Sequence, residues 1–276
     1  MSTYHLAGIV PVAGQPLDFK MDWHDSLMPI APDYLAVERA VFECAWAGCE
    51  TIWIVANDDM TPLIRHRLGE WVQDPVWIGR RMDPYPSQTR KQIPIFYVPI
   101  RAKDMGRRDC LAWSVLHGAV TAFEVSARLS KWVIPRRNYV AFPYGVYDPE
   151  IIREHRKKIS SDKPFMLCYN GKTVQDGEYL GFTFDKDDFV KCRRKIREGT
   201  GQYNSKVMED GIYPREKLPK EERWSARYFS LDKIFKPVII DIENKVEVPW
   251  YYNIDSWDGY CSFLGSAERK EVKRPH

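Results

Sequence analysis

His24 and Asp25 stand side by side in a loop that also holds Trp23 and Ser26, and an imidazole next to a carboxylate suits general-base work or a hydrogen-bonded grip on a ligand. Upstream, Val12-Ala13-Gly14 closes the apolar run AGIVPV. A glycine after a buried strand either lets exposed N–H groups approach a phosphate or simply makes a turn. Arg107, Arg108 and Asp109 precede a long apolar helical stretch. Acids are favoured at a helix start and bases are not, so the arginines call for an anion there, unless Asp109 satisfies the helix and they face water. Further on, Lys191, Arg193, Arg194, Lys195 and Arg197 form a basic cluster. It fits a polyanion such as DNA or a sugar phosphate, or else a solvated helix face, since Asp185, Asp187 and Asp188 lie just ahead. No serine or cysteine nucleophile stands between glycines, which argues against a hydrolase triad.

The elements that must position these residues follow from pattern. AGIVPV, TIWIVAN and IPIFYVPI read as buried strands, and YVAFPYG and PVIIDI as two more. Between them, Asp33 to Gly48 carries helical spacing, with Asp33 placed to cap its start and Gly48 to end it. MTPLIRHRLGEWV and GRRDCLAWSVLHGAVTAFEVSARL read as two further helices. Alternating strands and helices predict an α/β fold: a Rossmann-like, mostly parallel sheet with helices on both faces and ligands at the carboxyl ends of the strands. The expected organisation is one domain over 1–265, a lid or excursion over 197–227 and a frayed tail over 266–276.

Composition bounds the partners. With 276 residues, 44% of them hydrophobic, the chain can bury a large core. A net charge of +3 is too small to demand nucleic acid by itself. The six scattered cysteines include no CxxC pair, so neither a disulfide framework nor a zinc site is indicated, and a reducing, cytoplasmic setting is expected. No run approaches the roughly 18 apolar residues of a membrane span. Among ten Trp and fifteen Tyr, a few are expected to line a pocket that grips a flat ring.

In this order of segments the chain resembles the nucleotidyltransferases of the sugar-nucleotide pyrophosphorylase type, whose Rossmann-like fold is shared with GT-A glycosyltransferases. GIVPVAG with LMPI resembles the family's strand, glycine loop and Leu-Leu-Pro-Ile segment. AWAGCETIWIVAND resembles its helix, glycine and second strand, GRRDCLAWSVLHGA its base- and ribose-contacting helix start, and WYYNIDSWDGY its closing Asp-containing motif. The resemblance implies a nucleotide or nucleotide sugar held by Val12, Ala13, Gly14, Gln15, His24, Asp25, Gly106, Arg107, Arg108 and Asp109. It implies nucleotidyl transfer to a sugar phosphate or related acceptor.

Departures from the family pattern sit at its charged positions. Gln15 replaces a second loop glycine, no arginine follows, and Asp25 falls where a lysine is expected; Lys20, in the same loop, is the candidate replacement. A Mg²⁺ or Mn²⁺ ion is implied through an acid after YVAFPYG and another in the closing motif. Gly145 falls near the first position, which leaves Asp148 either to take over as a ligand or to cap the helix EIIREHRKKI. Asn253 and Asp255 are the remaining candidate ligands, and Asp255, with Lys20, is the candidate catalytic residue. Asp255 with Ser256 can equally cap the last helix. Two alternatives follow from the departures: a GT-A-like glycosyltransferase that needs no lysine for a triphosphate, or an inactive descendant with a binding role.

Overall fold

A computed structural model describes residues 5–14, 21, 23–74, 92–105, 110–199, 229–238 and 244–275. At its centre lie three parallel strands, β1 (Leu6–Pro11), β4 (Thr51–Ala56) and β6 (Gln92–Pro99). On the other side of β1, β7 (Arg137–Val140) is again parallel, with Leu6 opposite Arg137 and Ile9 opposite Val140. The sheet extends through β10 (Phe182–Phe184), β9 (Met166–Cys168) and β11 (Lys245–Glu247) at one edge and closes with β5 (Trp71–Gln73) at the other. The resulting order is β11-β9-β10-β7-β1-β4-β6-β5, mixed and mostly parallel in its central half, as the alternation of elements predicts.

Period-two alternation divides the strands between two cores. Ala7, Ile9, Trp53, Val55 and Val140 face one side and Leu6, Val10, Ile52, Ile54 and Tyr139 the other. The first side is covered by α3 (Leu111–Leu129) and the second by α1 (Ala36–Ala47). Each fully buried aliphatic side chain contributes about 1.5–3 kcal/mol, which is why the strands read as unbroken apolar runs.

Two helix boundaries differ from the sequence expectation. Asp33 does not cap α1: it sits at φ 54° in the turn between β2 (Pro29–Ala31) and β3 (Tyr34–Leu35), its carboxylate bound to Arg67 at 2.7 Å and Arg274 at 2.8 Å. Glu38 takes the capping part, accepting the Leu35 N–H at 2.8 Å, and Gly48 ends the helix at φ 93° as expected. The helix predicted through Val72 stops as α2 (Thr61–Leu68), because Gly69 turns at φ 75° and Trp71–Gln73 pairs with β6 as an edge strand.

A small two-stranded unit, β8 (Gly145–Tyr147) antiparallel to β12 (Tyr251–Asn253), sits beyond β7, and α8 (Trp257–Leu264) follows it. The last residues pack rather than fray: Val272 is buried with Ile254, Tyr260 and Phe263, and Arg274 reaches Asp33 and Glu38. An apolar anchor and two carboxylates supply what an isolated charged tail lacks. The predicted strand PVIIDI lies largely outside the described residues, as does the expected lid beyond residue 199. No helix among the described residues is long and apolar enough to cross a membrane.

Candidate functional site

Chain order reverses at β1: the chain leaves it towards β4 and β6 and returns through α3 to β7 on its other side. The carboxyl ends of β1 and β7 therefore meet at the switch point, where open α/β sheets place their ligand crevice. Val12, Ala13 and Gly14 stand on one lip and Phe142 to Gly145 on the other. Gly14 turns at φ 82°, a left-handed conformation that favours glycine.

The two lips are tied directly together. Tyr144, fully buried, donates its hydroxyl to the Val12 carbonyl at 2.9 Å, and Ser114 of α3 donates to the Ala13 carbonyl. The N–H groups of Val12 and Ala13 both donate to Val55 O at 2.9 Å. These two N–H groups are thus already paired with a strand carbonyl. Below the second lip, Arg39 Nη2 donates to Phe142 O at 2.8 Å and Nη1 to Glu43 at 2.7 Å. Tyr139, at 2.6 Å, and Tyr147 donate to the same carboxylate.

His24 and Asp25 reach the crevice from the loop before β2, in a one-turn 3-10 segment, Asp25–Leu27, that His24 caps through its Nδ1. Nδ1 lies 3.0 Å from Asp25 Oδ1 and 2.8 Å from Ser26 Oγ. The imidazole therefore lies directly against the Asp25 carboxyl and the Ser26 hydroxyl. Asp25 is only 2% exposed. Oδ1 also accepts the Ser26 N–H at 2.9 Å, whereas Oδ2 is buried with no hydrogen-bond partner. Burial pushes the carboxyl above the ordinary range; His24 and the Ser26 N–H pull it back, and Asp255 nearby adds to the rise.

Asp255 comes from the turn between β12 and α8. Its Oδ2 accepts the Tyr179 hydroxyl at 3.0 Å, and the Tyr179 ring packs edge-on to Tyr144 with centroids 5.4 Å apart. Burial first, then the nearby Asp25, Tyr179 and Asp255, hold Tyr144 well above an ordinary phenol, so it is a neutral donor. The crevice thus gathers two carboxylates, one imidazole and two phenols. Sequence reasoning found His24, Asp25 and Asp255. It missed Tyr144, read as strand, and Tyr179, which lies in no periodic segment.

Each of the metal ligands expected from the sequence already accepts a hydrogen bond: Asp255 from Tyr179, and Asp148 and Asn253 from backbone N–H groups. Asp148 Oδ1 accepts the Glu150 N–H at 2.9 Å, where α4 (Glu150–Glu154) begins after Pro149. Asn253 Oδ1 is occupied by the Asp255 N–H at 2.9 Å. Gly145, paired with Asn253, has no room for a side chain, because a Cβ would overlap the Tyr179 carbonyl oxygen. Among the described residues no group of three or more His, Cys, Asp or Glu side chains is placed to hold a metal ion. Ser256, not Asp255, caps α8, accepting the Gly259 N–H at 3.3 Å.

Gln15, Lys20, Gly106, Arg107, Arg108 and Asp109 lie outside the described residues. The helix that follows is described from Leu111, with Cys110 Sγ accepting the Trp113 N–H at 3.4 Å.

Solved structures share this fold. A protein assigned as a glucose-1-phosphate thymidylyltransferase from Bacillus anthracis, in complex with sucrose, superposes with a TM-score of 0.55 at 10% identity over 98% of both chains. The fold is of the nucleotidyltransferase type. A UDP-glucose pyrophosphorylase complexed with UDP-glucose is similar at a TM-score of 0.49 and 12% identity, covering 97% of this chain and 99% of its own. No protein-family model and no curated protein sequence matches the chain. At such identities the likeness extends to the nucleotidyltransferase-type fold, and the chemistry must be argued from the crevice.

Proposed function

We propose that the chain binds a nucleotide sugar in the crevice between β1 and β7 and transfers its glycosyl group to an acceptor hydroxyl. The observation that carries this reading is Asp25, a buried carboxyl with a raised pKa and an unpartnered oxygen, at the position where nucleotidyl transfer calls for a lysine. A lysine there would neutralise a triphosphate; a carboxylate repels one. The same carboxylate, tuned upward, is suited to take a proton from a sugar or other hydroxyl, which a base near the working pH does best. In the transfer, the bond from the anomeric carbon to phosphate oxygen breaks and the bond to the acceptor oxygen forms. The acceptor's proton passes to Asp25, and the nucleoside diphosphate leaves. Asp255, fixed by Tyr179, would orient sugar hydroxyls.

In this reading Lys20, Arg107 and Arg108 meet the diphosphate, and Gly14, Gln15, Gly106 and Asp109 lie against the nucleotide. No step is assigned to a metal: Asp255, Asn253 and Asp148 already accept hydrogen bonds, and Gly145 leaves no room for a ligating side chain. The six cysteines are all free, which fits a reducing compartment.

The test is a thermal-shift and turnover screen of nucleoside triphosphates and nucleoside diphosphate sugars, with and without Mg²⁺ or Mn²⁺. One nucleotide sugar is expected to stabilise the chain, by about 2.7 kcal/mol at a hundredfold its Kd, and to release nucleoside diphosphate. Pyrophosphate release from a triphosphate and a sugar 1-phosphate would overturn the reading in favour of nucleotidyl transfer. No response to any nucleotide would leave the inactive-descendant alternative.

A further inference from the structure

The amino ends of the strands carry a second feature. Where Pro135 and Arg136 lead into the amino end of β7, α3 and α6 (Lys186–Gly199) leave a pocket of about 200 Å³ between them. Its walls are Ala119, Val120, Phe123, Phe189 and Val190. An apolar cavity of about 150 Å³ takes up benzene, so this one has room for a larger ring. Phe123 and Val190 are 45% and 47% exposed, so the pocket opens to water through large apolar side chains.

Two polar features qualify the apolar walls. Asn138 of β7 lines the pocket, is only 9% exposed, and its Oδ1 has no hydrogen-bond partner. An unmet buried amide costs stability that an apolar residue of the same shape would not, and a ligand that donates to it removes the cost. Phe189 and Val190 also form one wall of an adjoining basin, whose remaining lining is Arg193, Arg194 and Arg197. Of the acids at the start of this helix, Asp188 lies 3.5 Å from Lys191 and Asp185 lies 3.7 Å from Arg137. Arg193 and Arg194 are exposed beside the pocket's mouth.

We propose that this pocket docks an acidic segment of another protein, which seats one tryptophan between α3 and α6. The indole fills the apolar slot and its N–H donates to Asn138 Oδ1, while carboxylates flanking the tryptophan meet Arg193 and Arg194. Charge complementarity selects an acidic partner, and the apolar slot selects a side chain over a nucleic-acid backbone, which needs cations along a track with stacking faces between them. Buried aromatic anchors with a charged rim are the usual energetic centre of a protein interface. The pocket lies at the amino ends of the strands, away from the crevice, so the proposal stands apart from the transfer reading.

The probe is a fluorescein-labelled peptide, Glu-Asp-Glu-Trp-Glu-Asp-Glu, titrated against the full chain by anisotropy, with Phe and Ala in place of Trp as comparisons. The Trp peptide is expected to bind at least about tenfold more tightly than the Ala peptide, with the Phe peptide between them. Val190→Glu and the double change Arg193→Glu/Arg194→Glu, all at exposed positions, are each expected to weaken the Trp peptide by about tenfold or more, and added salt to weaken it further. Asn138→Leu should erase the preference for Trp over Phe without lowering the Tm; should that variant misfold, Val190→Glu still carries the test. Equal binding of Trp and Ala peptides, or no binding at millimolar peptide, overturns the proposal. So does binding of a twelve-residue oligothymidylate that Val190→Glu leaves unchanged, which would mark a nucleic-acid surface. Self-association of the chain alone, abolished by Val190→Glu, would replace the partner with a second copy and equally overturn it.

Discussion

Glu43 and Asp25 are both buried carboxylates close to the same crevice, and they are treated oppositely. Glu43, on α1, is 1% exposed and accepts from Arg39, Tyr139 and Tyr147, so both of its oxygens are matched. Burial alone would drive Arg39 towards neutrality, but Glu43 against it holds the guanidinium charged, and its face lies 4.7 Å from the Tyr147 ring centroid. Asp25 is just as buried, yet one of its oxygens has no partner and its pKa is raised. A satisfied buried charge holds elements in place; an unsatisfied one stores a proton affinity that a ligand can use. Glu43 braces the 142–145 turn from below through Arg39, and Asp25 faces what that turn encloses.

The strongest way to break this contrast is to remove the satisfied carboxylate. Glu43→Leu leaves Arg39 charged and two phenols unmatched, and is expected to cost about 3–5 kcal/mol in urea-induced unfolding. A loss under 1 kcal/mol would mean that the network is not a brace.

Next in size is Gly145→Asp, which restores the acid implied at that position by the family resemblance. Because a Cβ there overlaps the Tyr179 carbonyl, the variant should lose about 1–3 kcal/mol and gain no metal-dependent stabilisation. A rise in Tm on adding Mn²⁺ would show that the crevice can rearrange into a metal site. Tyr179→Phe, which removes the donor to Asp255 at 3.0 Å, should cost about 1 kcal/mol of stability and weaken the response to nucleotide sugars in the same thermal-shift assay.

The smallest change in stability, and the sharpest for the comparison, is Asp25→Asn. Its folded-state pKa is raised, so the stability Asp25 contributes is fully present below its unfolded value and is lost as pH rises through the folded value. Asn lacks that titration. The wild-type chain should therefore lose stability relative to Asp25→Asn as pH rises through that window, with no stability lost by the variant at neutral pH, and nucleotide-sugar turnover should fall about a hundredfold or more. Stability curves that stay parallel across pH would show that Asp25 is not perturbed.

Much of the sheet was legible because buried strands and amphipathic helices write their periods into the chain. AGIVPV, TIWIVAN and IPIFYVPI are β1, β4 and β6, and Gly48 ends α1 where its composition suggests. The misjudged boundaries were set by partners remote in sequence. Asp33 caps nothing because Arg67 and Arg274 claim it, and Trp71–Gln73 is strand because β6 offers it an edge. The tail reads as a charged end, and only the burial of Val272 against Tyr260 and Phe263 makes it part of the fold.

At the crevice, the residue types were visible one at a time. His24, Asp25 and Asp255 could be picked out by chemistry, and the substitution of acid for base at Asp25 by resemblance. That Asp25 and Asp255 lie close together, and that Tyr144 and Tyr179 lie beside them, depends on strand register. Local hydrophobic period decides which faces are buried, and so the sequence by itself determined the layers and the order of strands and helices. Which buried polar atoms find partners is a property of distances between segments far apart in the chain, and only the tertiary structure decided it: Glu43 satisfied, Asp25 left with an open oxygen.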